Sequence, residues 1–309
     1  MITVHTVGTS AVAPTARRNL SANLINFRGE RILFDCGEGT QRTLMQKNLG
    51  LMKIDKVFIT HWHADHFSGL LGLIQTLSME DRKRPLEIYG PARTEEFMDM
   101  LLNLGYFDRS YEIKVREIEE GDIIEDISKG KEYKIIPFET EHHIPSQGYV
   151  FQEESEVKAN KEKMKELGLK PSRKIRRLKQ GEAVEVDGRT INPEDVTEEV
   201  KGRKIVYSGD TEYIDNLAKY AEEADLLIHE ATFLHDLIQG GKYGHCSAKQ
   251  AGMVAKEAGA KKLVLTHISR RYEGEEDRLI NEAKQVFENV VIAEDGKKFE
   301  IEPYRPEDQ

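Results

Sequence analysis

Residues 60 to 69 read THWHADHFSG and hold four potential metal ligands within six positions: His61, His63, Asp65 and His66. The apolar run KVFI (56–59) precedes this cluster, and the apolar run FSGLLGLIQTL (67–77) follows it. The first run is typical of a buried strand and the second of a helix. Polar side chains are costly at such a junction unless they bind something. The stretch therefore predicts a metal-binding loop between a strand and a helix.

Four other apolar runs end in a potential ligand. IPFETEH ends at His142, KIVYSGD at Asp210, LLIHE at His229 and Glu230, and LVLTH at His267. Strand ends on one edge of layered sheets converge, and sites in α/β folds collect there. Histidine and aspartate without cysteine suit Zn²⁺, and they also accept Mn²⁺ or Fe. One ion cannot use so many ligands, so we expect two ions about 3.5–4 Å apart that share a carboxylate.

Length and composition are those of a globular protein with one large domain or two small ones. The chain has 309 residues, and no apolar run approaches the roughly 20 residues that a membrane span needs. Residues 1 to 20 lack a signal-peptide core, so we expect a cytoplasmic protein without a membrane partner. The two cysteines, Cys36 and Cys246, exclude a disulfide framework and a cysteine-rich zinc site. The mixed strands and helices predict an α/β or α+β class with layered sheets and helices.

Charge is distributed unevenly along the chain. Residues 158–179 contain ten lysines and arginines but two glutamates, a net charge of +8, so the remainder carries −18 of the total −10. This basic stretch holds few apolar residues, and we predict that it lacks a core of its own and forms a flexible arm at residues 152–192. An acidic body with one basic insert is consistent with a nucleic-acid partner. The alternative is a solvated, charged surface helix.

Several longer motifs carry a resemblance to a known family. They extend from Gly8 to Tyr272 and read GTSAVAPTARRN, LFDCGEGTQR, TEHHIPSQGY, SGDT, IHEATF, YGHCSAKQA and LTHISRRY. With THWHADHFSG, they resemble the metallo-β-lactamase superfamily and, within it, the ribonuclease Z family of tRNA 3′-processing endonucleases, most closely its archaeal members. The resemblance implies a four-layered αβ/βα sandwich in one domain, residues 1–309, from which the basic arm projects.

The resemblance also implies which residues bind two Zn²⁺ ions per chain. Three residues hold each ion and one aspartate bridges them: His61, His63 and His142 for the first ion, Asp65, His66 and His267 for the second, and Asp210 between the two. In TEHHIPS the second histidine stands where the family commonly has glycine. His143 is therefore an alternative to His142 as a ligand.

Catalytic roles follow from the same resemblance. Asp65 matches the general base of the family, and Glu230 and His245 match the pair that assists proton transfer. A carboxylate beside an imidazole raises the imidazole pKa, so His245 is the candidate acid for the leaving ribose 3′-oxygen. The alternative for His245 is a structural role just before the helix that Ser247 begins. The family products are a tRNA with a 3′-hydroxyl and a trailer with a 5′-phosphate.

The resemblance implies pre-tRNA as substrate and a homodimer as the assembly. The basic arm matches the family's tRNA-binding exosite in position, but LKPSRK lacks the Gly-Pro turn of many members. The expected RNA contacts are arginines and a lysine in the body and the arm: Arg18, Arg271, Arg173, Lys174, Arg176 and Arg177. Salt bridges within the protein explain the two arginines of the body equally well.

Two other function classes are consistent with parts of the sequence. The first is a metallo-β-lactamase-fold phosphodiesterase or sulfatase that acts on small molecules, and the basic arm argues against it. The second is an RNA-binding protein with a vestigial metal site, and the apparently complete ligand set argues against that. Comparing the cleavage of pre-tRNA with that of small phosphodiesters distinguishes the first class. Metal content distinguishes the second.

Overall fold

The computed structural model divides the chain into two compact units. The first contains Met1–Gln152 and Lys204–Ile301, and the second consists mainly of Glu153–Arg203. The structure describes all but a few loop and terminal residues, namely the ranges 1–106, 108–128, 130–238 and 244–304. Among these, no helix is both long and apolar enough to cross a membrane.

Strands and helices alternate through most of the chain. The strands are β1 (Ile2–Gly8), β2 (Ala22–Phe27), β3 (Glu30–Phe34), β4 (Ile54–Phe58), β5 (Leu86–Gly90), β6 (Ile113–Glu117), β7 (Ile124–Ser128), β8 (Lys131–Glu139), β9 (Gln147–Glu153), β10 (Glu156–Ala159), β11 (Val184–Val186), β12 (Arg189–Ile191), β13 (Thr197–Val200), β14 (Lys204–Tyr207), β15 (Leu226–Glu230), β16 (Leu263–Thr266), β17 (Val290–Ile292) and β18 (Lys297–Ile301). The helices are α1 (Thr40–Gln46), α2 (Ala64–Phe67), α3 (Leu70–Met79), α4 (Thr94–Leu102), α5 (Lys161–Glu166), α6 (Arg173–Lys179), α7 (Pro193–Val196), α8 (Leu217–Tyr220), α9 (His235–Ile238), α10 (Ala248–Glu257) and α11 (Asp277–Lys284).

The described residues of the first unit contain two seven-stranded mixed sheets. The first sheet has the order β18-β1-β2-β3-β4-β5-β6, in which β3 to β6 run parallel and β18 to β3 antiparallel. The second sheet has the order β17-β16-β15-β14-β9-β8-β7, in which β14 to β17 run parallel. Each sheet therefore combines a parallel half, whose strand ends suit a site, with an antiparallel half.

Buried apolar clusters separate the layers of this unit. Aromatic and aliphatic side chains from both sheets pack face to face in the middle: Phe27, Phe34, Phe58, Phe151, Tyr207 and Ile228. The outer face of the first sheet packs on α1, α3 and α4, and that of the second sheet on α8, α10 and α11. Since each sheet has one face on its partner and one on helices, the layers follow the order αββα. The predicted four-layered αβ/βα sandwich of the metallo-β-lactamase type is confirmed.

The helix predicted from Phe67 is interrupted. The prediction covered residues 67–77, whereas the structure has α2 ending at Phe67 and a separate helix, α3, beginning at Leu70. A Cβ atom on Gly69 would lie 2.2 Å from the carbonyl oxygen of Gly37, and a Cβ on Gly37 would lie 2.4 Å from that of Asp65. Glycine is required at both positions because the backbones of the LFDCGEG and HADHFSG loops pass each other in close contact. This contact accounts for the break between the two helices.

The second unit has an apolar core of its own, so the prediction that the basic stretch lacks one is wrong. Six buried side chains form this core: Met164, Ile175, Leu178, Val184, Ile191 and Val196. Half of them lie beyond residue 179, outside the basic window on which the prediction rests. The unit also extends to Arg203 rather than to residue 192, because β13 pairs antiparallel with β10 and closes it.

Candidate metal and catalytic centre

The polar side chains at the strand ends of the first unit lie together. His61 follows β4, His142 follows β8, Asp210 follows β14 and His267 follows β16, while Glu230 is the last residue of β15. All of them except His142 are fully or almost fully buried. The parallel strands bring their carboxyl ends to one edge of each sheet, and the facing sheets bring the two edges together. The ligand positions predicted from strand ends thus converge on one centre.

Three histidines form the first potential metal-binding group. The Nδ1 atom of His63 lies 3.1 Å from the Nε2 atom of His61 and 3.1 Å from the Nε2 atom of His142. One nitrogen from each ring lies within 4.8 Å of the others. In the described part of the chain, the groups with this geometry include His142 and leave out His143. The structure therefore favours His142 over His143 at this position.

The second group contains two aspartates and two histidines. The Nε2 atom of His267 lies 3.3 Å from Asp65 Oδ2 and 3.3 Å from Asp210 Oδ2. His66 Nε2 lies 3.3 Å from the same Asp210 oxygen. That oxygen is also 3.7 Å from His61 Nε2, an atom of the first group. Asp210 therefore lies between the two groups, where a bridging carboxylate would be needed.

Two buried atoms of the centre have no hydrogen-bond partner. They are His66 Nε2 and Asp210 Oδ1. Buried polar atoms without partners are rare in native proteins, and a bound cation would satisfy both of these atoms. Imidazole nitrogens and carboxylate oxygens without thiolates suit borderline divalent cations. The residues present therefore fit a pair of such cations.

The centre is strongly polarised. Burial opposes the charged form of His66, but the carboxylates of Asp210 and Asp35 outweigh it and raise the His66 pKa well above its usual range. Burial likewise opposes ionisation of Asp65 and Asp210, yet the neighbouring histidines hold both pKa values below the usual range for aspartate. The carboxylates are therefore ionised at neutral pH, and their negative charge favours cations at this point.

Hydrogen bonds fix the orientation of four of the histidine rings. The Thr232 hydroxyl donates to Glu230 Oε2 at 2.6 Å, so it must accept from His267 Nδ1 at 2.8 Å. Thr60 Oγ1 similarly donates to Asp35 and lies 3.0 Å from His61 Nδ1. His66 donates through Nδ1 to the Asp35 carboxylate, and His142 donates through Nδ1 to the backbone carbonyl of Gly244. In all four rings these hydrogen bonds engage Nδ1, so Nε2 is the nitrogen that remains for the centre, as metal ligation requires.

Asp35 is a residue of the centre that was not predicted from the sequence. It is fully buried, and its carboxylate accepts hydrogen bonds from His66 Nδ1, the Thr60 backbone N–H and the Tyr207 hydroxyl, each at 2.8 Å. Its position directly after β3, within LFDCGEGTQ, is the same strand-end signal that identified the other residues. The carboxylate orients His66 and links the two sheets beneath the centre.

Glu230 and His245 form a hydrogen-bonded pair beside the centre. His245 Nδ1 lies 2.9 Å from Glu230 Oε1 and 3.8 Å from Asp210 Oδ2. Burial lowers the His245 pKa, but Glu230 and Asp210 outweigh this and raise the pKa to about 9. The cap of α10 is Ser247, whose hydroxyl accepts the Gln250 N–H, so helix capping does not require His245. A protonated imidazole held this way is suited to donate a proton through Nε2.

A strained turn holds Asp65. Val12 has φ of +59°, and the N–H of Ala13 donates to the Ala11 carbonyl at 2.5 Å, as in the rare classic γ-turn. The turn directs the Val12 N–H to Asp65 Oδ2 at 2.8 Å. His267, on the other side of this oxygen, also has a positive φ of +55°. Strained β-branched backbone is concentrated at functional sites, so the turn belongs to the centre.

The predicted RNA contacts differ in exposure. Arg18 is 7 % exposed and donates to Thr9 Oγ1 at 2.8 Å and to the Ala293 carbonyl at 2.5 Å. Its guanidinium is committed to the protein, and the prediction that Arg18 contacts RNA is corrected to a structural role. Arg271 is exposed, and its guanidinium lies 5.0 Å from the centre of the Phe233 ring.

The four predicted contacts in the second unit are all exposed: Arg173, Lys174, Arg176 and Arg177. They lie on α6, whose other face buries Ile175 and Leu178 in the small core. The Arg177 Nε atom pairs with Glu182 at 2.7 Å, and Lys174 Nζ donates to the Glu185 carbonyl at 2.7 Å. Exposed pairs of this kind are weak and exchange readily with other anions. The helix therefore presents a cationic face on a folded support.

Two family models match the sequence. The model described as Anti-Pycsar protein Apyc1 matches residues 2–167, and the model described as beta-lactamase superfamily domain matches residues 196–268. Between them they include every residue of the centre.

Curated relatives match the whole chain. Ribonuclease Z of Methanosarcina acetivorans is 44 % identical over 99 % of this chain and 100 % of its own length. Ribonuclease Z of Archaeoglobus fulgidus is 43 % identical over 96 % of each chain. Among solved structures, human tRNase Z, short form, superposes with a TM-score of 0.69 and 29 % identity over 97 % of this chain and 99 % of its own. The chain therefore belongs to the ribonuclease Z family of the metallo-β-lactamase superfamily.

Proposed function

We propose that this protein is a tRNA 3′-processing endoribonuclease. It hydrolyses the phosphodiester that follows the acceptor stem of pre-tRNA, which leaves a 3′-hydroxyl on the tRNA and a 5′-phosphate on the released trailer. One observation carries the proposal: seven histidine and aspartate side chains and the Glu230–His245 pair meet at one edge of the sandwich, in a chain that is 44 % identical to a ribonuclease Z over 99 % of its length.

We propose two Zn²⁺ ions as cofactors. The first would be held by the three-histidine group and the second by the aspartate–histidine group, with Asp210 between them. Bound zinc would supply Lewis acidity, which lowers the pKa of water and offsets negative charge on the phosphoryl oxygens. The chain's own contribution is to hold the ligand rings in one tautomer, with Nε2 facing the centre on four of them.

Asp65 and His245 are the proposed proton acceptor and proton donor. The Asp65 carboxylate is fixed by the Val12 N–H, so it can orient the attacking water and receive its proton. His245 is held through Nδ1 by Glu230, which leaves Nε2–H to protonate the departing ribose 3′-oxygen. Attack and departure in line at phosphorus need both groups positioned before the reaction begins.

The second unit is the proposed RNA-binding arm. Its exposed α6 cations can bind phosphates along an RNA helix, which proteins recognise mainly through backbone and shape. Arg271 in the first unit is exposed and is a further proposed phosphate contact. We also propose a homodimer in the cytoplasm, and light scattering on the purified protein measures the first of these two properties.

The experiment that tests the function is cleavage of a 3′-extended pre-tRNA, with mapping of the cut and of the chemistry at both ends. We expect one cut after the acceptor stem by the wild type and none by Asp65→Ala. Metal analysis of the same preparation should find two zinc ions per chain. Hydrolysis of small phosphodiesters with no cut in pre-tRNA would instead favour the small-molecule hydrolase.

A further inference from the structure

Gly244 connects a predicted metal ligand to a carboxylate outside the centre. Its carbonyl accepts a hydrogen bond from His142 Nδ1 at 2.7 Å, and its N–H donates to Glu212 Oε1 at 3.0 Å. Gly244 has φ of +70°, and a Cβ there would lie 2.7 Å from His143 Nε2. Glycine is thus required at this position, and one peptide segment joins the His142 ring to Glu212.

Glu212 also holds the backbone on the other side of His142. Its N–H donates to the Glu141 carbonyl at 2.7 Å, and the Glu141 N–H donates to Thr211 Oγ1 at 3.2 Å. The backbone of Glu212 thereby fixes Glu141, the residue before His142. The side chain of Glu212 fixes Gly244, whose carbonyl accepts the hydrogen bond from His142 Nδ1. No other described carboxylate bonds to the Gly244 N–H.

The same segment reaches the proton-transfer pair. The Thr211 N–H donates to Glu230 Oε1 at 3.0 Å, and this oxygen also receives His245 Nδ1 at 2.9 Å. His245 directly follows Gly244 in the chain, so any shift of Gly244 moves His245 as well. Thr211 and Glu212 therefore bond to all three segments that supply His142, Glu230 and His245.

We infer that Glu212 is a positioning residue for both His142 and His245. Its carboxylate anchors Gly244, which keeps the His142 ring in the tautomer that turns Nε2 to His63 and keeps His245 in register with Glu230. Within the described part of the chain, the hydrogen bond of the Glu212 carboxylate goes to Gly244, which is not a member of the two predicted metal-binding groups. The inference rests on the proposed function only where it concerns proton transfer to the leaving group.

Zinc titration of the metal-free protein by calorimetry tests the first part without RNA. Loss of an outer hydrogen bond typically weakens metal binding about 10–100-fold, and we expect this for Glu212→Ala at the three-histidine group that contains His142. Glu212→Gln keeps an oxygen that accepts the Gly244 N–H, so its affinity should stay within about threefold of the wild type. Glu222→Ala, at an exposed glutamate of the same unit, is the matched control and should bind zinc normally.

The second part of the inference, the positioning of His245, is tested by comparing kcat on two substrates whose leaving groups differ in their need for a proton. A p-nitrophenolate departs without a proton, whereas a ribose oxygen needs one. Glu212→Ala should lower kcat on bis(p-nitrophenyl) phosphate through His142 and lower it further on pre-tRNA through His245, with KM little changed. A purely structural role would reduce thermal stability and the active fraction equally for both substrates.

Three results would overturn the inference: wild-type zinc affinity in Glu212→Ala, equal defects in the alanine and glutamine variants, or equal losses of kcat on the two substrates. A wild-type protein that leaves pre-tRNA intact would refute the proposed function, while the zinc titration would still decide the role of Glu212 at His142.

Discussion

The centre of the first unit and the cationic face of the second are built on opposite principles. The centre gathers side chains from positions 35 to 267, buries most of them, and gives nearly every polar atom a fixed partner. The α6 face is encoded within seven consecutive residues, is exposed, and needs only a small core beneath it. The activity of a buried site depends on the positions of its atoms to within fractions of an ångström. Binding by an exposed charged surface depends mainly on its charge and on the salt concentration. Substitutions in the centre should therefore impair catalysis and metal binding, and substitutions on the α6 face should impair RNA binding in a salt-dependent way.

The largest effect is expected at Asp210. Asp210→Ala removes the carboxylate that lies between both groups, and we expect kcat to fall more than about 1,000-fold, the scale on which preorganised electrostatic stabilisation acts. Zinc content should fall below two ions per chain, as measured by elemental analysis. An Asp210→Ala variant that keeps two ions and most of its activity would contradict the bridging position.

The next largest effect is expected at His245, and it should depend on the substrate. His245→Ala removes the proposed acid, and such groups typically contribute about 10²–10⁴-fold. The loss of kcat should appear on pre-tRNA and be mostly absent on bis(p-nitrophenyl) phosphate, because the aryl leaving group needs no proton. Zinc content serves as the control and should remain at the wild-type value. Equal losses on both substrates would assign His245 to metal binding instead.

A smaller effect is expected at Asp35, which orients a ligand without being one. Asp35→Asn weakens the hydrogen bond that holds His66 Nδ1, and we expect zinc affinity and kcat to fall about 10–100-fold. Tyr207→Phe removes another donor to the same carboxylate while leaving His66 in place, so it should cost less than about tenfold. Calorimetric zinc titration compares the two variants, and a tyrosine variant as impaired as the aspartate variant would refute the orienting role.

The smallest effect on the chemistry is expected from α6. The double variant Arg173→Glu, Arg176→Glu reverses two exposed charges without touching the small core. We expect KM for pre-tRNA to rise about tenfold at low salt, with kcat on bis(p-nitrophenyl) phosphate unchanged, and the difference should shrink as salt increases.

Two exposed cations of the first unit provide the control for that experiment. Lys83→Glu with Lys298→Glu makes the same change in net charge but leaves the second unit unaltered. If this pair raises KM as much as the α6 pair does, the effect is one of total charge and the second unit is not a specific RNA-binding arm.

Sequence reasoning succeeded where a local pattern and a physical cost coincide. Polar residues at the end of an apolar strand are costly, and the metal ligands predicted in this way, from His61 to His267, lie together at the centre. His229 ends a run of the same kind, but it lies outside the groups of described residues that could hold a metal. Asp35 also follows an apolar strand, β3, but it lies within the family motif LFDCGEGTQ, whose individual residues were given no roles from the sequence. Val12 could not be found, because its contribution is a backbone N–H set by an unusual φ rather than by its side chain.

Other errors have a common cause in long-range contacts. Arg18 was expected among the RNA contacts, yet its buried side chain donates to the carbonyl of Ala293, which is 275 positions away in the chain. The basic stretch reads as coreless because half of its core comes from residues after 179. Burial of an individual side chain depends on which distant segment covers it, and composition within a window does not report that.

The class of fold, the family, the candidate ligands and the basic stretch could be identified from the sequence alone, since strand periodicity, ligand chemistry and charge are local properties of the chain. The tertiary structure was needed to show that His142 rather than His143 faces His61 and His63, and that Asp35, Val12 and Glu212 hold the others in place. These are relations between atoms on segments that are far apart in the chain. They arise when two sheets pack face to face and bring their strand ends together.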